Sequence, residues 1–139
     1  MLNLPVSEIM NDHPIKVKSD VSVRNVAHLL LRSRINGILV VSAADPQKLV
    51  GVFTTRNLLH LMGDSLARRR QKMQALHDVG SQPVGNFIKE KLLTLQASDN
   101  TAKAVGLMHK KNAVTIPVFD GDKLVGVIGR HDIINIAFA

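Results

Sequence analysis

The sequence predicts an α+β protein made of two tandem copies of one β-α-β-β-α unit. The main observation is a repeated strand, because residues 48–53 read Lys-Leu-Val-Gly-Val-Phe and residues 123–128 read Lys-Leu-Val-Gly-Val-Ile. In both copies a short polar stretch and then an apolar run follow this strand. A segment that recurs in this way indicates two copies of one structural unit, and the fold class follows from it.

The two copies stay aligned along their length. Asp20 and Asp99, at matching helix starts, are 79 positions apart, whereas Lys48 and Lys123 are 75 positions apart. The second copy is therefore four residues shorter than the first. The differences fall in predicted loops, where changes of length have little effect on stability.

The first copy begins with a strand and a helix. Residues 14–18 alternate between apolar and charged side chains, which indicates a strand. Asp20 and Ser22 carry side-chain oxygens that can accept hydrogen bonds from the free amides of a helical first turn. Apolar residues then recur at helical spacing up to residues 33–34, so the helix has one apolar face.

The first copy continues with two strands and a second helix. Residues 38–41 are a continuous apolar run rich in β-branched side chains, which is typical of a strand buried on both faces. A polar turn leads into the repeated strand at 49–53, and the apolar run at 55–62 predicts a helix.

The second copy has the same order of patterns. Asp120-Gly121 is typical of a tight hairpin. Val105 and Met108 form the apolar face of its first helix. In chain order, we expect a strand at 92–95, a helix that starts at Ser98-Asp99-Asn100-Thr101, strands at 114–119 and 124–128, and a helix at 130–137.

Each unit of about 55 residues is too small to bury a comfortable core alone. We therefore expect the two units to pack sheet to sheet, related by pseudo-two-fold symmetry. Between them, residues 63–82 predict a linker helix with Asp64 as its N-cap and with Leu66, Met73 and Leu76 on one face. The domain prediction is a single module over 1–139, with repeat one at about 6–62, the linker helix at 63–82 and repeat two at about 83–138.

The composition excludes several classes of function. The 139 residues include no Cys, Trp or Tyr, which excludes disulfides, thiol catalysis and Cys-based metal sites and agrees with a cytoplasmic protein. No apolar run approaches the ~20 residues that span a bilayer, and no signal-peptide pattern is present, so we predict no membrane partner. The six His include no pair at helical ligand spacing, which predicts no metal site. No motif joins a nucleophile to a base, and we predict that the chain is not an enzyme.

The net charge of +7 suggests a phosphate-bearing partner. The only dense basic run is Arg68-Arg69-Arg70 with Lys72. Such a run is usually a solvated face, and the chain has almost no aromatic side chains on which bases could stack. A nucleic-acid-binding regulator is therefore the least favoured of the functions considered.

The order of these motifs resembles a cystathionine-β-synthase (CBS) domain pair, also called a Bateman module, over nearly the whole chain. The resemblance implies a regulatory module that binds AMP, ADP, ATP or S-adenosylmethionine in the cleft between its repeats. It also implies a homodimer that acts on an unknown effector protein, with no covalent cofactor. The motifs that carry it are Asp20-Val21-Ser22, Asn36-Gly37-Ile38-Leu39-Val40-Val41 and Gly51-Val52-Phe53-Thr54-Thr55-Arg56-Asn57 in the first copy, and Asp99-Asn100-Thr101, Val114-Thr115-Ile116-Pro117-Val118-Phe119 and Gly126-Val127-Ile128-Gly129-Arg130-His131-Asp132 in the second.

The resemblance also implies two sets of ligand-binding residues. One set forms the adenine pocket, and the other binds the ribose and phosphate groups. The adenine set is Ile15, Asn36, Gly37, Ile38, Val114, Thr115, Ile116 and Pro117, and the ribose and phosphate set is Thr54, Arg56, Asn57, Arg130, His131 and Asp132.

The two copies depart from the family pattern in opposite ways. The first keeps the hydroxyl of Thr54 but has Asn57 in place of aspartate, whereas the second keeps Asp132 but has Gly129 in place of the hydroxyl residue. We expect the first site to be more nearly intact, or the second to hold its ligand mainly through ribose. Two other interpretations stay open: these residues are plain helix caps, or the chain is a ligand-free scaffold for dimerisation.

Overall fold

The computed structural model describes residues 3–67, 72–89 and 91–138. Within these ranges the chain forms two three-stranded sheets and five α-helices. The predicted α+β class and the β-α-β-β-α order of each copy are confirmed. In both sheets the first strand is parallel to the second, and the second is antiparallel to the third.

The first sheet follows the predicted order closely. It comprises strand β1 (Lys16–Lys18), strand β2 (Gly37–Val41) and strand β3 (Leu49–Thr54). Helix α1 (Val23–Ser33) connects β1 to β2, and helix α2 (Thr55–Leu66) follows β3 directly. The parallel pairing of β1 with β2 requires such a crossover, whereas β2 and β3 form a hairpin.

Local hydrogen bonds explain where α1 begins and ends. The Ser22 hydroxyl accepts from the amide of Asn25 at 3.1 Å, which satisfies a free donor of the first turn. Arg34 then adopts a left-handed conformation with φ of 54°, and its amide donates to the carbonyls of Leu30 and Leu31. A left-handed residue just after the last turn is a common end of a helix.

The predicted linker helix differs from the structure. Helix α2 runs through Asp64, so the prediction of this residue as an N-cap is wrong. Gly63 lies inside α2, and a glycine in a helix lowers its stability by only about 1 kcal/mol relative to alanine, so the helix continues past it. A separate helix, α3, spans Lys72–Ser81, and the Met73 side chain on this helix is 77% exposed. The apolar face predicted to include that residue is therefore also wrong, and residues 68–71 lie outside the described ranges.

The second sheet repeats the first with one shift. Its strands are β4 (Leu95–Gln96), β5 (Thr115–Asp120) and β6 (Lys123–Gly129), and its helices are α4 (Thr101–Lys111) and α5 (Arg130–Ala137). The first strand begins only at the last residue of the predicted 92–95 segment, because pairing with β5 starts there. The predicted hairpin is confirmed, with Gly121 at φ of 62° in a two-residue loop.

The chain divides into two compact units, and each contains a short segment from the start of the other repeat. One unit comprises residues 16–90, and the other comprises residues 1–15 with 91–139. A 3-10 helix at Val84–Phe87 therefore packs with the first sheet, and a 3-10 helix at Val6–Glu8 packs with the second.

Backbone hydrogen bonds hold each of these segments in its unit. The amide of Val84 donates to the Val21 carbonyl at 2.8 Å, and the amide of Val6 donates to the Asp99 carbonyl at 2.7 Å. Both valines are fully buried. They belong to cores whose other buried members are Val17, Val23, Val26, Leu30, Ile38, Val40 and Phe53 in one unit, and Leu95, Ala104, Ile116, Val118, Ile128 and Ile133 in the other.

Two glycines at equivalent strand positions allow the segments to lie this close. A Cβ on Gly51 would overlap Cγ2 of Ile88. A Cβ on Gly126 would lie 2.5 Å from Sδ of Met10 and 2.8 Å from the carbonyl oxygen of Asn11. These glycines therefore serve close packing within their own units.

Candidate functional site

In the first unit the predicted adenine and phosphate motifs lie side by side. The register of β2 and β3 pairs Gly37 with Thr54. The amide of Thr55 then donates to the carbonyl of Asn36 at 2.8 Å, which joins the start of β2 to the start of α2. Residues that are far apart in the sequence thus meet at the amino-terminal end of α2.

Thr54 and Asn57 form a reciprocal cap at this helix start. The Thr54 hydroxyl accepts from the Asn57 amide at 3.1 Å, and Oδ1 of Asn57 accepts from the Thr54 amide at 2.9 Å. The hydroxyl also donates to the same Oδ1 at 2.9 Å. This arrangement is a capping box in which asparagine replaces the usual glutamate or glutamine. Both residues therefore cap the helix, and their role in ligand binding stays a prediction.

The second unit builds the same arrangement without the hydroxyl. The strand register pairs Thr115 with Gly129, and the amide of Arg130 donates to the Val114 carbonyl at 3.2 Å. Oδ2 of Asp132 accepts from the Gly129 amide at 2.7 Å. The nearest atoms to a Cβ built on Gly129 are 3.6 Å or more away, and its φ is −113°. A side chain would fit at this position, so glycine is not required there by the fold.

The remaining predicted adenine residues differ in accessibility. Ile38 and Ile116 are buried in the two cores, so only their backbone atoms can meet a ligand. Pro117 is also buried, within β5. Ile15, by contrast, precedes β1 and is 36% exposed.

The three basic side chains that are predicted to bind phosphate are exposed. Arg56 lies in the first turn of α2, and Arg130 and His131 lie in the first turn of α5. No hydrogen bond or ion pair within the described residues involves their side chains. All three are therefore available to an anion at a helix amino terminus, where backbone amides and the helix dipole favour negative charge.

A pocket of about 300 Å³ lies along one side of α2 in the first unit. It begins at Asn57 and follows the face of α2 that carries His60, Leu61 and Asp64, which lie three, four and seven positions further along the helix. The opposite wall comes from the end of the 3-10 segment, and the floor is the buried ring of Phe53. The lining residues are Phe53, Asn57, His60, Leu61, Asp64, Phe87 and Lys89.

Of these seven lining residues, only Asn57 belongs to the predicted site, and the other six were not predicted as site residues. His60 and Asp64 could have been found from their helical spacing to Asn57. Phe87 and Lys89 could not, because they come from the segment that packs back onto the first unit. In the part of the chain that the structure describes, no group of three or more metal-ligating side chains is found. Within the same ranges, no helix is long and apolar enough to cross a membrane.

Comparison with known proteins gives consistent matches over most of the chain. A curated relative from Methanocaldococcus jannaschii, an uncharacterized protein, is 29% identical over 135 residues, which cover 96% of this chain and 66% of that protein. The inosine-5'-monophosphate dehydrogenase of Aquifex aeolicus is 26% identical over 125 residues, which cover 88% of this chain but only 22% of the enzyme. The chain thus spans only part of the length of these relatives.

Solved structures match the same fold. CBSX2 in complex with AMP is 26% identical with a TM-score of 0.76, and the match covers 96% of this chain and 95% of that one. The CBS-domain protein ATU1752 of Agrobacterium tumefaciens is 19% identical with a TM-score of 0.82, covering 99% and 96%. The CBS domain pair of MJ0100, in complex with 5'-methylthioadenosine and S-adenosyl-L-methionine, is 20% identical with a TM-score of 0.77, covering 96% and 99%.

The family model for the CBS domain matches twice, over residues 6–64 and 84–138. These two matches cover most of the chain and correspond to the two copies found in the sequence. The chain therefore belongs to the CBS-domain family and carries two tandem CBS repeats.

Proposed function

We propose that this chain is a regulatory module that binds an adenosyl ligand at the residues around the starts of α2 and α5. The observation that carries the proposal is the recurrence of one arrangement in both units. In each, the first residues of the middle strand lie beside the amino terminus of the last helix, with a side-chain acceptor at the third helical position. The complex of CBSX2 with AMP, a protein 26% identical to this chain, supports an adenosyl ligand.

The chemistry of these helix starts suits a nucleotide. The amides of Thr55 and Asn57 in α2 already donate within the protein, so a phosphate there would use the Arg56 amide and its exposed guanidinium, which adds charge-assisted bonds. Asp132 offers a second carboxylate oxygen beyond the one that caps Gly129, and a ribose hydroxyl can donate to it. Asn57 can meet the ribose only through a neutral amide, which gives a weaker bond than a carboxylate.

A regulatory role requires that the ligand favour one conformation over another. The energy of ligand binding would change the packing of the repeats, and an effector protein would respond to that change. The short match to inosine-5'-monophosphate dehydrogenase, over 22% of the enzyme, supports a role other than catalysis for this chain. A cytoplasmic location stays a prediction.

Calorimetric titration with AMP, ATP and S-adenosylmethionine tests the proposal. We expect binding by the wild type, and an increase of about tenfold in Kd after Asn57→Ala or Asp132→Ala, because a tenfold loss corresponds to about 1.4 kcal/mol and each change removes one polar contact to the ribose. Gly129→Ser restores the missing hydroxyl and is expected to strengthen the binding of phosphate-bearing ligands at α5. No heat and no rise in melting temperature at millimolar ligand would overturn the proposal.

A matched control separates ligand binding from helix capping. Both alanine variants also remove a cap, which lowers the free energy of unfolding by about 1 kcal/mol. Asn100 caps α4 in the same way, since its side chain accepts from the Lys103 amide at 3.0 Å. Asn100→Ala should therefore destabilise the protein to a similar extent and leave Kd unchanged.

We also propose a homodimer formed through the last helix of each repeat. Leu59 on α2 is 66% exposed, and its equivalent on α5, Ile134, is 50% exposed. Met62 and Leu66 continue the α2 surface at helical spacing. Exposed apolar side chains at equivalent positions of both repeats fit a symmetric, self-complementary interface, which is the commonest kind in homo-oligomers.

Sedimentation equilibrium checks the dimer. Leu59→Asp is expected to shift the wild-type dimer to monomer, because a charge would be buried at the interface. Leu31→Asp serves as the control, since this residue is 73% exposed and lies on α1, which is not one of the helices of the proposed interface. A wild type that sediments as a monomer would exclude this assembly.

A further inference from the structure

The pocket along α2 extends well beyond the predicted ribose contact. Asn57 and Asp64, at its two ends on the helix, are seven residues apart, which corresponds to about 10 Å of helix. Its volume of about 300 Å³ is at the lower limit for small-molecule sites. The pocket can therefore hold one part of a ligand whose remainder lies near the start of α2.

The pocket is lined by one acidic and one basic side chain, those of Asp64 and Lys89. In the described part of the chain, neither Asp64 nor Lys89 takes part in a hydrogen bond or ion pair of its side chain. The imidazole of His60, between Asn57 and Asp64 on α2, also lines the pocket. Its side chain likewise has no hydrogen bond or ion pair within the described residues. These groups are exposed and need no ligand for their own solvation. Their presence around one concave surface nevertheless defines the charges that a ligand would meet.

The apolar part of the lining restricts the ligand further. The buried ring of Phe53 and the half-buried side chains of Leu61 and Phe87 form the rest of the wall. An aliphatic chain buries its surface against such a wall favourably. A cationic centre beside the face of an aromatic ring gains a further cation–π attraction.

This combination of one acidic and one basic side chain matches a zwitterionic group better than a phosphate chain. The carboxylate of Asp64 would repel a polyphosphate that lay along the pocket. The Thr54 hydroxyl, which the resemblance assigns to phosphate, already donates to Asn57 and accepts from its amide. A tail that carries both an ammonium and a carboxylate group meets a partner of opposite charge for each of them.

We propose that this pocket binds the amino-acid end of an adenosyl ligand, and that the first repeat therefore prefers S-adenosylmethionine to adenine nucleotides. In this arrangement Lys89 binds the carboxylate, Asp64 binds the ammonium group, and the sulfonium and its methylene groups lie against Phe87. The inference depends on the proposed function, because the adenosine part must lie near Asn57. It adds a specificity that neither the capping residues nor the family match supplies.

Titration with two ligands tests the inference. S-adenosylmethionine carries the amino-acid end, and 5'-methylthioadenosine lacks it. We expect Lys89→Met and Asp64→Asn each to raise the Kd of S-adenosylmethionine about tenfold, the effect of losing one exposed charge-assisted bond. The Kd of 5'-methylthioadenosine should stay within about twofold of the wild-type value, because this ligand does not reach those residues.

The controls distinguish the failure of this inference from the failure of the proposed function. Lys48→Met removes an exposed positive charge from the same unit, outside the pocket, and should leave both Kd values unchanged. An unchanged Kd of S-adenosylmethionine in both pocket variants, while 5'-methylthioadenosine still binds, would overturn the inference alone. Equal weakening of the two ligands would also overturn it. Absence of binding by either ligand to the wild type would overturn the proposed function and the inference together.

Discussion

Replacing Gly126 with alanine is expected to lower the free energy of unfolding by about 2 kcal/mol, the usual effect of forcing an extra carbon into a packed interior. The new Cβ would lie 2.5 Å from Sδ of Met10 and 2.8 Å from the carbonyl oxygen of Asn11. The second contact is with backbone that is itself fixed, because Asn11 and Val127 exchange two hydrogen bonds of 2.9 Å. The clash therefore cannot be relieved by rotating a side chain.

Urea denaturation of three variants checks this result. Gly126→Ala should remain destabilised after Met10→Ala is added, since the overlap with the Asn11 carbonyl persists. Gly106→Ala is the matched control: this residue lies inside α4 with nothing within 4 Å of its Cβ position, and the change should raise stability by about 1 kcal/mol. A Gly126→Ala variant as stable as the wild type would show that the amino-terminal segment does not lie on β6 as described.

Most of the secondary structure could be predicted from the sequence because the two copies support each other. The start of α5 at Arg130 and the hairpin at Gly121 were predicted from patterns that recur or from a turn with strict backbone requirements. Asp64 misled the prediction because aspartate is equally good as a cap and tolerable on an exposed helix face. The residues around Asp64 do not show whether it caps a helix or lies within one. Only the continuation of α2 to Leu66 distinguishes the two positions.

The candidate site was predictable only where it consists of local motifs. The cap of Thr54 by Asn57 follows from their spacing, and the structure confirms it. Phe87 and Lys89 reach the same helix through the return of the 3-10 segment to the first unit, which periodicity does not reveal. Hydrophobic patterns show that a segment is buried, but they do not show which of two similar sheets buries it.

In each unit, a segment from the start of the other repeat packs on the sheet, and this packing explains both glycines of the repeated strand. Gly51 and Gly126 occupy matching positions in the Lys-Leu-Val-Gly-Val sequence, and each lies under a residue from the segment that packs on its sheet. The repeat therefore preserves a docking contact as well as a strand. In the first unit the same docking positions Phe87 and Lys89, so its integrity is a condition for the pocket along α2.

The docking contact in the first unit can be tested by rescue. Gly51→Ala is expected to lower the free energy of unfolding by about 2 kcal/mol, because the new Cβ would overlap Cγ2 of Ile88. Here the obstruction is a side chain alone, since the next nearest atom is Cβ of the same residue at 3.8 Å. Ile88→Ala removes the overlapping methyl group, and the double variant should be more stable than the sum of the two single effects predicts.

A double-mutant cycle in urea measures that difference. Directly contacting residues give coupling energies of about 0.5–3 kcal/mol, and we expect a favourable value in this range for Gly51→Ala with Ile88→Ala. Gly51→Ala combined with Met10→Ala is the control pair, because Met10 lies against the other glycine and in the other unit. Its coupling energy should be near zero. Additive effects in the Gly51 and Ile88 cycle would mean that the 3-10 segment does not contact β3, and the pocket built on that contact would then lose its second wall.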